Sequence, residues 1–439
     1  MGPLLNLKAV ASRVGLTTWL VLSLLGLTSC APERKSDVTI SQPAQAGSGE
    51  VKFAVISDLH FQPFLYPDAV VKALLVAEAT NWEAILRTNE VAAKPGQDSP
   101  LFLIKAGLHN VRVHCPLPRF ILCLGDFLGH DFRANCDASG VDAARFAIKT
   151  EQFVQLQFAE EFPDTPIFPV LGNNDSDLDD YVSPGPEFLR AFAETWASQV
   201  AREGAITRDD FKSQFVRLHG CYEAKLPGLA VRLLALNSDC WCRNGQPLSG
   251  TNQDATEMAW LGDRAAASPA TLWLAYHVPP GVDGHNFMQP DGGEINLWEP
   301  GDESRFLGLL NANRQIKLSF CGHTHRDEFR LLYAEGRPIH LVHIAPSISP
   351  CYFNHPAYQL FTANPDGTIR RHETYFTSDL NTAENWEFEY GFTHEPLDTY
   401  AERLRPQFTN NYAAQAHCDE SLVADLDKYW TNVIFLHTP

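Results

Sequence analysis

A chain of 439 residues with 45% hydrophobic and 11% aromatic residues can bury a large core, which excludes compositional disorder and fits one large layered domain with appendages. Its formal net charge of −19 excludes a surface built to track nucleic acid, where Lys and Arg on phosphates dominate binding. If such a chain handles a phosphate ester, metal ions must supply the positive charge.

Lys8 and Arg13 flank the apolar run Val14 to Leu27, too short for a comfortable membrane span, and Leu27-Thr28-Ser29-Cys30 follows at once. This pattern predicts a bacterial lipoprotein signal over 1–29, cleavage before Cys30 and a lipid on that thiol, with 30–50 as a flexible Ser-, Ala-, Pro- and Gly-rich tether. The mature chain is expected in the cell envelope, exported and anchored to a membrane surface, not through it. Removing Cys30 from the 10 cysteines leaves nine, so at least one stays unpaired, and an oxidising compartment predicts disulfides among the rest. Cys240-Trp241-Cys242 is too tightly spaced for a metal knuckle and reads as part of that disulfide set, whereas Cys321 reads as a buried thiol.

The globular part opens on Val51 to Ile56, a buried strand that breaks into Asp58-Leu59-His60. A helix is predicted over Tyr66 to Asn89, followed by a polar surface excursion with Pro95-Gly96 and Pro100. The strand Arg119 to Leu124 ends in Gly125-Asp126, with His130 shortly after, and Pro166 to Leu171 ends in Gly172-Asn173-Asn174-Asp175. A helix predicted over Gly140 to Glu161 lies between them, as in a parallel sheet with crossover helices. Further on come a helix over Gly185 to Val200, a strand over Leu229 to Asn237, and the strand Thr271 to Tyr276, which runs into His277-Val278-Pro279-Pro280. The two prolines stop any inner strand or helix, leaving His277 at a rigid corner. A glycine-rich loop holding His285, a helix near Glu303 to Leu310, and the strand Ile316 to Phe320 ending in Gly322-His323-Thr324-His325 complete the pattern, with Ile339 to Ile344 as the last strand.

Two histidines so close form a polar turn more often than a metal site, and a lone Gly-Asp is usually a turn. Their company changes the reading. Asp58, His60, Asp126, Asn173, His277, His323 and His325 all follow apolar strands, and in extended backbone residues two apart point the same way. Two carboxylates, an amide oxygen and four imidazoles gathered at the carboxyl ends of strands suit two divalent ions.

In this order, Asp-x-His, Gly-Asp, Gly-Asn, His and Gly-His-x-His, the chain resembles the calcineurin-like metallophosphoesterase superfamily from Val51 to Phe376. Gly125 to Asp131, His277 to Gly281, and Ala345 to Pro350 with Asn354-His355-Pro356 resemble its acid sphingomyelinase-like phosphodiesterase branch more narrowly. The resemblance implies an α/β fold, a four-layer αββα sandwich over 51–376, with a short helical extension over 377–439 around the spacing Leu397 to Leu404. It also implies that Asp58, His60, Asp126 and His325 hold one ion, and that Asp126 as bridge, Asn173, His277 and His323 hold the other. The implied activity is phosphodiester hydrolysis by a hydroxide bridging the two ions. Zinc is favoured, with manganese or iron also suited to these ligands. Substrates within that branch include phosphodiesters, phospholipids and polyphosphates, and no signal for oligomeric state is visible.

One departure matters: family members read Gly-Asn-His where this chain has Asn174, whose amide can hydrogen-bond a phosphoryl oxygen but supplies no proton near neutral pH. Either His130 or His285 protonates the leaving group, or that group needs little protonation, as in polyphosphate or nucleotide anhydrides. His130 is equally readable as a structural partner of a ligand. A metal-loaded binding lipoprotein with little turnover is the reading from another class.

Overall fold

A computed structural model describes residues 49–287 and 292–394, with 397, 399 and the backbone of 435–437. The expected lipoprotein signal over 1–29, Cys30 and most of the expected tether over 30–50 lie outside the described residues, as does Cys418.

Two mixed sheets face each other. The first has the strand order β12-β11-β10-β1-β2-β3, formed by β1 (Val51–Ile56), β2 (Ile121–Cys123), β3 (Ile167–Pro169), β10 (Ala357–Ala363), β11 (Ile369–Phe376) and β12 (Glu387–Thr393). The second has the order β13-β8-β9-β7-β6-β5-β4, formed by β4 (Tyr222–Lys225), β5 (Val231–Ala235), β6 (Thr271–Ala275), β7 (Ile316–Cys321), β8 (Glu328–Ala334), β9 (Arg337–Ile344) and β13 (Phe435–His437). In the first sheet β1, β2 and β3 run parallel, in the second β5, β6, β7 and β9 do, and antiparallel strands complete each sheet. Phe53 of β1 cements the sheets together, stacked on Phe120 and Phe361 and meeting Trp273 and Phe320 across the gap. Such aromatic clusters gain both from burial and from ring geometry.

Helices cover both outer faces. On the first sheet lie α1 (Asp68–Val76), α2 (Trp82–Arg87), α3 (Leu101–His114), α4 (Phe132–Ser139), α5 (Ala143–Glu161) and α6 (Pro186–Val200), while α7 (Arg208–Arg217) packs on α6 and against β4 of the second sheet. The second sheet carries α8 (Gln253–Ala267) and α10 (Pro300–Ala312), packed on a core that includes Trp241, Tyr276, Trp298 and Phe306, while α9 (Gly284–Phe287) is a single turn near the site. This is the expected αββα layering.

Several expectations need correction. The helix predicted over Tyr66 to Asn89 breaks in two, because Ala77 and Glu78 are extended and Trp82 donates its indole N–H to the Leu74 carbonyl at the break. The polar excursion ends at Pro100, where α3 begins, an amphipathic helix burying Leu101, Ile104, Leu108 and Val111 at helical spacing. Ile339–Ile344 is not the last strand, since β10 to β12 follow and extend the first sheet beyond β1. Within the tail expected to be helical, β12 pairs with β11 and so extends the sheet past residue 376. The spacing Leu397 to Leu404 falls almost wholly outside the described residues. No disulfide forms among the described residues: eight cysteines are free thiols, seven of them buried. Cys240 donates to the Asn237 carbonyl and the Glu257 carboxyl, and Cys242 donates separately to the Ser238 carbonyl, so each has its own acceptor.

Candidate metal centre

The parallel strands of both sheets end at one rim. Past β1 and β2 the loops run side by side, with Asp58 N–H donating to the Gly125 carbonyl (3.0 Å), His60 N–H to Asp126 (2.9 Å) and Phe61 N–H to Phe127 (2.9 Å). The segment after β9 laces onto the same place through Ile348 N–H to Ser57 (3.2 Å) and Ser349 N–H to Asp58 (3.0 Å).

Asp58, His60, Asp126, His323 and His325 all adopt left-handed backbone, with φ between 44° and 73°. The expectation that Asp58 and His60, or His323 and His325, share a face of an extended strand is therefore wrong; tight left-handed turns aim them instead. Non-glycine residues pay for that conformation, and such strain concentrates at functional sites. Two glycines make room. A Cβ on Gly172 would sit 2.1 Å from Asp126 Oδ1, and one on Gly322 would sit 1.9 Å from Ser57 Oγ and 2.6 Å from Asp58 Oδ2.

The turned side chains converge in a buried cluster. His60 Nε2 lies 3.1 Å from His325 Nε2, 3.4 Å from Asp126 Oδ2 and 3.8 Å from Asp58 Oδ1. His325 Nε2 is 3.2 Å from Asp58 Oδ1, and His277 Nε2 is 3.2 Å from Asp126 Oδ2 and 3.7 Å from Asp58 Oδ1. On the far side of Asp126, Asn173 Oδ1 lies 2.9 Å from His323 Nδ1. Each imidazole has a partner behind it: the Nδ1–H of His60 donates to Leu128 O (3.0 Å) and that of His277 to Leu124 O (2.6 Å). Tyr181 Oη lies 3.2 Å from His323 Nε2, and Cys351 Sγ lies 3.3 Å from His325 Nδ1. These contacts leave His60 Nε2, His277 Nε2, His323 Nδ1 and His325 Nε2 facing the cluster, as outer partners of metal-bound histidines do.

The electrostatics suit a site for cations. Burial opposes charge on Asp58 and Asp126, yet the surrounding imidazoles hold both carboxyls below the usual range. Burial lowers His277 and the two carboxylates outweigh it, raising the group to about 10, while burial and the neighbouring His277 push His323 down to about 3. His277 Nε2 is fully buried and faces the Asp126 and Asp58 carboxylate oxygens, a nitrogen and two oxygens that one bound cation could share. The donor set therefore fits divalent metal ions.

A match to the calcineurin-like phosphoesterase family model spans residues 51–327. The chain is a calcineurin-like phosphoesterase. Its relatives include acid sphingomyelinase-like phosphodiesterase 3b of Mus musculus, 27% identical over 373 residues that cover 79% of this chain and 76% of that protein. Cyclic GMP-AMP phosphodiesterase SMPDL3A of Mus musculus is 24% identical over 406 residues, covering 85% of this chain and 84% of that protein. Sphingomyelin phosphodiesterase B of Dictyostelium discoideum is 26% identical over 251 residues, covering 52% of this chain and 36% of that protein. The family implies divalent metal ions, and the phosphoesterase offers them Asp58, His60, Asp126 and His325.

The remaining expected site residues divide. His130 stacks on His60, ring centroids 4.1 Å apart and planes 18° from parallel. Asn174 binds Asp126 instead of pointing outward, through its backbone N–H to Oδ1 and its amide to Oδ2, both 2.9 Å. His285, on α9, is not among the clustered donors, and its ring centroid lies 5.2 Å from that of Tyr352. Tyr352 also meets His325 at 4.7 Å and lines two cavities, one of about 400 Å³ with His130 and Asp98, the other of about 140 Å³ with His285, His323 and Arg326.

Sequence reasoning passed over Asp98 and Asp175. Asp98 accepts from the Nδ1–H of His130 (2.8 Å), its backbone N–H (2.7 Å) and the Gln62 amide (3.1 Å). Burial works against charge on His130, but the Asp98 carboxylate prevails and raises it to about 12. Asp175 clamps two ligand loops together: Oδ1 accepts from Phe127 N–H (2.8 Å) and Leu128 N–H (3.1 Å), and Oδ2 from Asp126 N–H (2.8 Å) and Gly172 N–H (2.9 Å). Its place directly after Gly-Asn-Asn was the only signal for that role.

Proposed function

We propose that this phosphoesterase hydrolyses small phosphodiesters, including phospholipid headgroup esters, at a centre of two divalent ions. Asp58, His60, Asp126 and His325 would hold one, and Asp126, Asn173, His277 and His323 the other. Zinc fits the mixture of imidazole and oxygen donors best, with manganese and iron as alternatives. When bound, the pair of ions would polarise the phosphoryl oxygens and lower the pKa of the attacking water. The names of the phosphodiesterase relatives support the substrate class.

The observation that carries the diesterase reading is the Asp98–His130 pair beside the ligand cluster. His130 Nδ1 is tied to Asp98, which leaves Nε2 to give a proton to the departing oxygen, a task an ester leaving group requires. Asn174 is occupied with Asp126, so it orients a ligand and moves no proton. His285 stands beyond Tyr352 and would contact the outer part of a substrate. With a proton donor in place, the absent Gly-Asn-His histidine does not force an anhydride substrate. We also propose export through the segment 1–29 and lipid anchoring at Cys30, on the residue pattern alone.

The test is hydrolysis of bis-p-nitrophenyl phosphate and p-nitrophenyl phosphate by the full chain, stripped of metal and reloaded with zinc or manganese, beside Asp126→Ala. Metal-dependent turnover of the diester that the variant lacks supports the reading. No turnover with two ions bound would sink it and move the case to polyphosphates or to a binding lipoprotein.

A further inference from the structure

Beside the carboxylate cluster a second group of donors comes together: His60, His130, His325 and Cys351, with one ligand atom of each within 4.8 Å of the others. Cys351 and His130 stand outside the ligand set that the family pattern supplies. Cys351 lies on the turn after Pro350, where its sulfur faces His325 Nδ1 at 3.3 Å, and both it and His130 line the cavity of about 400 Å³. Neither residue is sealed in the core, so an ion in that cavity can reach both.

We propose that His60, His130, His325 and Cys351 form a separate cation position, selective for thiophilic ions such as cadmium, copper(I) or surplus zinc, that competes with the carboxylate position for His60. The selectivity follows from the donors. Three imidazoles and a thiolate make a soft set suited to tetrahedral zinc-like ions, whereas Asp58 and Asp126 bring the hard oxygens that manganese or magnesium prefer.

Competition follows from the hydrogen bonds. His60 spends Nδ1–H on the Leu128 carbonyl, so it has one lone pair to give, at Nε2, and that nitrogen is also 3.4 Å from Asp126 Oδ2. One lone pair serves one ion. His130 likewise commits Nδ1 to Asp98 and has only Nε2 for the ion. His325 has one nitrogen towards each position, Nε2 towards Asp58 and Nδ1 towards Cys351. On binding, the cation replaces the thiol proton of Cys351 and any proton on His130 Nε2, both of which leave to solvent, and no redox step is involved. Occupation of this position also takes His130 out of use. The proposal rests on these donors and not on the diesterase reading, because its readouts do not require turnover.

The experiment is a cadmium titration of the metal-free full chain, followed by ultraviolet thiolate-to-cadmium charge-transfer absorption. A band that grows to one equivalent, is absent with manganese and disappears in Cys351→Ser is expected. A band unchanged in Cys351→Ser, or no band while cadmium is bound, overturns the assignment. The unaltered chain supplies a check that needs no variant: one equivalent of cadmium should slow iodoacetamide labelling of Cys351, read by peptide mass mapping, at least about tenfold relative to manganese. Equal labelling rates overturn it. Cadmium added to the manganese-loaded chain should release manganese, read by its free-ion paramagnetic signal, and full retention of manganese overturns the competition.

Discussion

Replacing Asp175 by asparagine tests whether one carboxylate holds the ligand loops in place. In the native chain each carboxylate oxygen accepts two backbone N–H groups, from Phe127 and Leu128 on one side and from Asp126 and Gly172 on the other. An amide oxygen can keep one pair, but its NH₂ then faces the other two donors, which are left buried and unpaired. At about 1–3 kcal/mol for each stranded group, Asp175→Asn should lose about 2–6 kcal/mol, a large part of the roughly 5–15 kcal/mol typical of a folded domain. An opposing effect of comparable size is present: burial and the nearby Asp126 charge raise Asp175 to about 7, so the neutral amide removes that electrostatic cost and the net loss of stability is smaller than the hydrogen bonds alone give, which makes ion affinity the sharper readout. Denaturant unfolding of the metal-free chain at neutral pH measures the difference, and chelator competition measures ion affinity, expected to fall by about 10–100-fold once Asp126 loses its anchor. A variant within about 0.5 kcal/mol of the parent and with unchanged ion affinity would refute the clamp.

Four further outcomes are expected. His130→Ala should slow cleavage of diesters with alkyl leaving groups by about 10²–10⁴-fold while sparing p-nitrophenyl esters, whose leaving group needs no proton; equal losses on both would contradict an acid role. Gly172→Ala should abolish ion binding, since its Cβ would lie 2.1 Å from Asp126 Oδ1, and retention of both ions by elemental analysis would contradict this. His340, buried on β9 beside Ser319, is pushed down to about 3 by burial, so it stabilises the fold fully above the unfolded value near 6.5 and loses that contribution as pH falls. At pH 5 the loss is about 1.5 pH units at 1.36 kcal/mol each, or about 2 kcal/mol, so the stability gap between parent and His340→Gln should move by that amount in the variant's favour between pH 7.5 and 5. Reloading the stripped chain at about 100 times the dissociation constant should stabilise it by about 2.7 kcal/mol per site, seen as a raised melting temperature.

The ends of hydrophobic strands were the legible part of this protein. Val51–Ile56, Thr271–Ala275 and Ile316–Cys321 are apolar runs halted by metal-capable residues, and those residues do meet at one rim. What was illegible depended on distant partners. β10 and β11 alternate polar and apolar residues too loosely for period alone to mark them, and they are strands because β1 and then β12 pair with them. α3 is masked in the sequence by the polar, proline-bearing loop before it, although proline before a helix is a common start. Within the site, residue types were readable and conformation was not: nothing in Asp58-Leu59-His60 announces a left-handed turn, and the partners of its imidazole come from Leu128 and His325. Asp98 sits in a loop rich in Pro, Gly and Gln, where a carboxylate looks like any solvated surface group until His130 is folded against it.

The pairing of Val51 with Ala363 places the first strand between a neighbour near residue 121 and one that leaves the ribosome more than two hundred residues later. Non-local pairings of this kind slow folding, because the chain must close a long loop before the contact rewards it. Until β10 arrives, β1 has an open edge, and the segment that fastens Ser57 and Asp58 lacks the Ala357 N–H that its Ser347 carbonyl accepts. Ion binding at Asp58 is thus a late event in the life of the nascent chain, and a fragment ending before Ala357 should hold no metal there, which elemental analysis of that fragment can check.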